Sequence, residues 1–74
     1  MNKTEFTLRG EYIELDKLLK ATGLAESGGR ARVMITEGQV QVDGQPESRK
    51  TAKIRAGQRV QLAGELILVL AADA

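Results

Sequence analysis

The sequence predicts an α+β fold, two short helices packed on a small antiparallel sheet of about four to five strands. Three observations carry that expectation. Residues 15–23 and 27–38 repeat apolar side chains at helical spacing, and each stretch stops at a glycine. "QVQVDGQPE" alternates valine with glutamine and then supplies Asp43-Gly44, a pair suited to a two-residue turn. "RKTAKIRAGQRVQLAGELILVLA" offers further strands separated by Ala56-Gly57 and Ala63-Gly64.

Each element follows from local chemistry. "FTLRGEYIEL" reads as a short strand or hairpin bending at Arg9-Gly10. "LDKLLKATG" sets Leu15, Leu18, Leu19 and Thr22 on one helical face, with Gly23 as the stop. In "SGGRARVMITEG", Ser27 is the expected cap, Ala31, Met34 and Ile35 form the buried stripe, and Gly38 ends the helix. Arg30 and Arg32 flank that stripe, each roughly 100° from its centre. Gly29, Arg32, Val33 and Thr36 form the outward face. Pro46 cannot donate to a ladder, so its strand lies at an edge or begins after it. If residues 49–55 are extended, Arg49, Thr51, Lys53 and Arg55 share one side while Ala52 and Ile54 face the core. Leu66 to Leu70 is apolar on both faces, which predicts a central or covered strand.

Composition narrows the chemistry. At 74 residues the chain is expected to form a single domain, residues 1–74. Cysteine and histidine are absent, which removes disulfides, thiolate or imidazole metal sites, and Cys- or His-based catalysis. Glu14 and Asp16 read as ordinary helix-start acids rather than an acid–base pair. Gly28-Gly29 lacks the spacing and the following Lys-Ser/Thr of a phosphate-binding P-loop. The expectation is therefore a protein that is not an enzyme, with no metal and no cofactor. "MNKTEFTLRGEYIEL" contains no apolar signal segment, and the apolar run Leu66 to Ala72 is too short to span a bilayer. A cytoplasmic monomer without membrane contact is expected.

The net charge is only +1, but it is unevenly placed. Residues 27–59 hold seven basic side chains (Arg30, Arg32, Arg49, Lys50, Lys53, Arg55, Arg59) against three acidic ones (Glu37, Asp43, Glu47). Such a local excess attracts a polyanion, although many solvated surfaces share it. The start of the second helix is unusual. Each glycine there costs roughly 1 kcal/mol of helix propensity relative to alanine. Arg30 opposes the helix dipole by a few tenths of a kcal/mol. A phosphate docked on the exposed N–H groups would reverse that electrostatic cost. The alternative is that the glycines simply allow a tight turn between packed helices. The basic strand "RKTAKIR" is likewise either a phosphate contact or a charged, protected sheet edge. Phe6 and Tyr12 are the only aromatic residues, which argues against a platform for unpaired bases and for contacts through charge and shape.

Several motifs then match a known family. "LDKLL" in the first helix, "S…RA…I..G.V.VDG" through the second helix and hairpin, and "KIRAGQRV" before the later strand occur in order and at matching spacing. From Glu14 to Leu62, about two-thirds of the chain, the sequence resembles the ribosomal-protein-S-four-type RNA-binding domain, or αL motif. "SG", "VDG" and "ESRKTAKI" are most similar to its stand-alone bacterial YbcJ-like branch. The resemblance implies RNA binding by Lys17 of the first helix, by Ser27, Gly28, Arg30 and Arg32 at the second helix start, and by Arg49, Lys50, Lys53 and Arg55 of the basic strand. The wider family commonly carries arginine at the positions of Glu14 and Gly28, and the resemblance implies that the downstream basic run substitutes for them. The expected function is that of a small non-catalytic RNA-binding protein in translation or RNA metabolism, contacting structured RNA or ribosomal particles through phosphates. The other reading, from a different class, is a protein-interaction module on the same fold. It rests on the near-neutral net charge and on Leu66 to Leu70 pairing across a dimer edge.

Overall fold

The computed structural model describes residues 2–72. In chain order the elements are β1 (Asn2–Thr7), β2 (Ile13–Glu14), α1 (Leu15–Ala21), α2 (Gly28–Thr36), β3 (Val40–Val42), β4 (Gln45–Pro46), β5 (Lys53–Ile54), β6 (Arg59–Leu62) and β7 (Glu65–Leu70). Among the described residues, five strands form one sheet in the order β1-β7-β6-β3-β4, and β2 pairs with β5 in a second, small sheet. The two helices pack on the large sheet, as the α+β expectation requires.

The hairpins form where the turn chemistry places them. Asp43 and Gly44 both adopt left-handed conformations (φ 52° and 82°), which joins β3 to β4 through a two-residue turn matched to the strand twist. β4, which carries Pro46, is an edge strand. Ala63-Gly64 repeats the geometry between β6 and β7, with Ala63 at φ 50°. No glycine or asparagine relieves the Cβ clash at Ala63.

Helical spacing also converts into burial. Leu15, Leu18 and Leu19 of α1 and Ala31 and Ile35 of α2 are completely buried, and Met34 packs at the margin of the same core. They meet Val40, Val60, Ile67 and Val69 from the inner face of the sheet. Each fully buried aliphatic side chain stabilises the fold by roughly 1.5–3 kcal/mol relative to exposure. A core made this way uses neither aromatic stacking nor disulfides.

Four expectations are corrected. The sheet is mixed, not wholly antiparallel: β1 runs parallel to β7, in register from Asn2 opposite Glu65 to Thr7 opposite Leu70. The bend at Arg9-Gly10 occurs, but it does not close a hairpin, because β1 joins β7 while β2 joins β5. The apolar strand β7 has partners on both sides, β1 and β6, so its backbone is not available to a dimer edge. Finally, residues 49–55 are not one continuous strand. A turn, with the Ala52 N–H donating to the Arg49 carbonyl at 3.3 Å, precedes the two-residue β5. The inward positions survive this change, since Ala52 and Ile54 are buried while Thr51, Lys53 and Arg55 are exposed.

Candidate nucleic-acid interface

The site is best built from the two helix starts. At α1 the preceding Glu14 makes no side-chain cap. Its place is taken by main chain: the Leu15 N–H donates to the Ala52 carbonyl (2.9 Å) and the Asp16 N–H to the Lys50 carbonyl (3.1 Å). The turn at residues 50–51 is what aims those carbonyls at the helix. Two of the N–H groups that a helix leaves unpaired at its start are thereby consumed.

At α2 the Ser27 Oγ accepts from the Arg30 N–H at 3.1 Å, and Ser27 itself is extended (φ −152°, ψ 166°). No group among the described residues accepts from the Gly28 or Gly29 N–H, and the first turn holds no acid. The cap is as expected, and these donors face outward beside two arginines.

Asp16 connects the two starts. Its carboxylate is almost fully buried; Oδ1 accepts from the Lys17 N–H at 2.9 Å and Oδ2 pairs with Arg32 Nε at 3.3 Å. The other end of the Arg32 guanidinium lies across the start of α2, with Nη2 3.4 Å from the position a Cβ on Gly28 would take. One residue thus anchors Arg32 through its side chain and Lys50 through its backbone.

The basic segment continues from there. Glu14 stands opposite Lys53 in the β2–β5 pair. Lys53 Nζ lies 5.1 Å and Arg55 Cζ 5.7 Å from the centroid of the Tyr12 ring, within cation–π range. Lys17 is bound to Glu14 at 2.9 Å, and that carboxylate holds its amine above the ordinary lysine range. Arg49 is gripped by Glu47 through Nε (3.1 Å) and Nη2 (3.1 Å). The pairing raises Arg49 and lowers Glu47 relative to their usual pKa values.

The structure therefore brings Gly28, Arg32 and Lys50 together around Asp16, and Lys17, Lys53 and Arg55 around Tyr12 and Glu14. Ser27 and Arg30 continue the surface from the α2 cap. Arg49 borders Lys53 across a shallow depression but is bound by its own carboxylate partner, Glu47. Arg30 and Lys50 have no ion-pair partner among the described residues. Arg59 lies elsewhere: its N–H donates to Asp43 Oδ1 at 2.9 Å beside the β3–β4 turn. That bond, then the Gln58 side chain, keeps the Asp43 carboxyl below the usual carboxylate range.

Asp16 and Tyr12 are the residues that sequence reasoning passed over. Asp16 was legible only as a helix-start acid, since a contact to Arg32 depends on how α1 and α2 pack. Tyr12 left a weak signal: in "EYIEL" the apolar Ile13 and Leu15 alternate with Tyr12 and Glu14, which turns the tyrosine outward.

Comparison with known proteins agrees with this geometry. The S4 domain family model matches residues 6–70. The chain belongs to the S4 domain family. Among its relatives is the Escherichia coli (strain K12) protein YbcJ, whose name proposes RNA binding. It is 52% identical over 60 residues, covering 81% of this chain and 86% of YbcJ. Another relative, RlbA of Bacillus subtilis (strain 168), bears a name that proposes ribosome maturation. It is 33% identical over 54 residues, covering 73% of this chain and 76% of RlbA. The solution structure of E. coli YbcJ, described as revealing an αL motif involved in RNA-binding, superposes with a TM-score of 0.72 at 46% identity. It covers 95% of this chain and 90% of that one.

Proposed function

We infer that this S4 domain protein is a small, non-catalytic RNA-binding protein. It contacts structured RNA, ribosomal RNA included, through phosphates. One observation carries the reading: Asp16 joins the open start of α2 to the basic segment around Lys50 and Lys53, so that two stretches apart in sequence form one cationic surface. YbcJ and RlbA, with names that propose RNA binding and ribosome maturation, support the same class of partner. On this reading the protein works in the cytoplasm beside its RNA.

Phosphates bind at the Gly28 and Gly29 N–H groups with Arg30 and Arg32, and along Lys50, Lys53 and Arg55. Glycine leaves the backbone approachable, and the helix dipole favours an anion there. Lys17 and Arg49 contribute less, because a carboxylate holds the Lys17 amine and both Nε and Nη2 of Arg49, whereas Asp16 holds Arg32 through Nε and leaves its Nη2 beside Gly28. The experiment is affinity for a hairpin RNA as a function of salt. Every phosphate that the protein ceases to neutralise takes roughly 0.7–0.9 off the log–log salt slope, so Arg30→Glu with Lys53→Glu reduces it by about 1.5 and weakens binding. An unchanged slope and affinity in the double variant would mean that the surface is wrongly assigned.

A further inference from the structure

We propose that Tyr12 is the stacking site for one unpaired nucleobase, so that the preferred RNA is a duplex interrupted by a bulged or looped-out nucleotide. The proposal rests on the RNA-binding reading and adds the feature of the RNA that is recognised. Phe6, the other aromatic residue, packs against the core, whereas Tyr12 is 42% exposed. An exposed ring is an ordinary surface feature by itself. This one sits within the cationic surface, with Lys53 and Arg55 both over its ring.

Depressions lie on both sides of the Tyr12–Lys53 contact, and their chemistry differs. One is lined by Arg49, Thr51, Ala52 and Lys53 and suits a backbone phosphate. The other is lined by Tyr12, Ile13, Glu14 and Lys17. A phosphate entering the second would meet the Glu14 carboxylate. A base would not: its face stacks on the tyrosine, its edge offers amino donors to a carboxylate, and the adjoining cations take its phosphates. One exposed ring accommodates one base, which is why the poverty of aromatic residues excludes a platform without excluding a single stacked nucleotide.

The test compares two duplex RNAs differing by a single bulged adenosine, each titrated against the full chain. Tyr12 is the only tyrosine and there is no tryptophan, so intrinsic emission reports on this ring directly. The bulged RNA is expected to bind on the order of tenfold more tightly than the continuous duplex, from the stacking of one base. It is also expected to quench the tyrosine emission. Tyr12→Phe keeps the preference for the bulge. Tyr12→Leu retains an apolar side chain beneath Lys53 and Arg55 but removes the aromatic face, and it loses the preference. Equal affinities for the two RNAs in the unmodified protein, or a preference that persists in Tyr12→Leu, overturns the stacking site while the RNA-binding reading stands. Failure to bind either RNA overturns both.

Discussion

The two helices begin within the same small fold but are finished in opposite ways. α1 starts against the protein's own main chain, with the Leu15 and Asp16 N–H groups bonded to the Ala52 and Lys50 carbonyls. α2 starts with a serine cap, two glycines and two arginines, and its first N–H groups meet no acceptor among the described residues. The contrast shows that a helix start is not an anion site by virtue of being a helix start. The carbonyls of Ala52 and Lys50 take the first two donors of α1 and the Asp16 carboxylate takes the Lys17 N–H, and the segment that supplies the carbonyls turns Lys50, Lys53 and Arg55 outward. Closing one helix start and extending the cationic surface beside the other are therefore one structural event.

The contrast breaks most severely at Asp16. Asp16→Ala removes a buried carboxylate that holds Arg32, and it leaves the guanidinium without its partner. A loss of about 1–3 kcal/mol in unfolding free energy is expected, read from the urea midpoint. A change within error would show that Asp16 does not tie α1 to α2. Next in size is the cap difference. Ser27→Ala costs about 1 kcal/mol, because the Arg30 N–H loses its acceptor. Glu14→Ala costs less than half of that, since the start of α1 is capped by carbonyls of residues 50 and 52 rather than by its side chain. Equal losses in thermal denaturation would contradict the distinction between the two starts.

The smallest effect is acid-dependent and falls on the α1 side. Arg49 lowers the Glu47 pKa below its ordinary 4.5, chiefly through the side-chain bond and then the backbone N–H bond. A lowered carboxylate pKa stabilises the fold fully above the unfolded-state value and is lost as pH falls through the folded-state value. Below about pH 4.5, therefore, the hold of Glu47 on the segment that caps α1 weakens. Amide exchange at Leu15 and Asp16 is expected to accelerate there by less in Glu47→Gln than in the unmodified protein. Glu47 is only partly buried and its Arg49 partner is exposed, so the change is small.

How much of this was legible depends on the range of each interaction. The αα order, the Ser27 cap, the Gly23 and Gly38 stops and the Asp43-Gly44 turn rest on contacts within about four residues, and residue type alone announces them. The inward alternation of Ala52 and Ile54 survived even where the extended strand did not, because burial is read from pattern rather than from hydrogen bonds. The parallel partnership of β1 with β7 left no such mark. It joins Asn2 to Glu65 across 63 residues, and the strand pattern of β1 is the same whichever neighbour it finds. The capping of α1 was equally hidden, since a carbonyl belongs to every residue and no side chain advertises its direction.

By itself, then, the sequence determined the helices, the turn-forming residues, the aliphatic core and the absence of cysteine and histidine chemistry. These depend on side-chain identity and short spacing. Tertiary structure alone decided which helix start stayed open and that Arg32 of α2 pairs with Asp16 of α1. Each of those outcomes is a pairing between distant segments, settled when α1 packs against α2 and the chain from Lys50 to Arg55 closes over the start of α1.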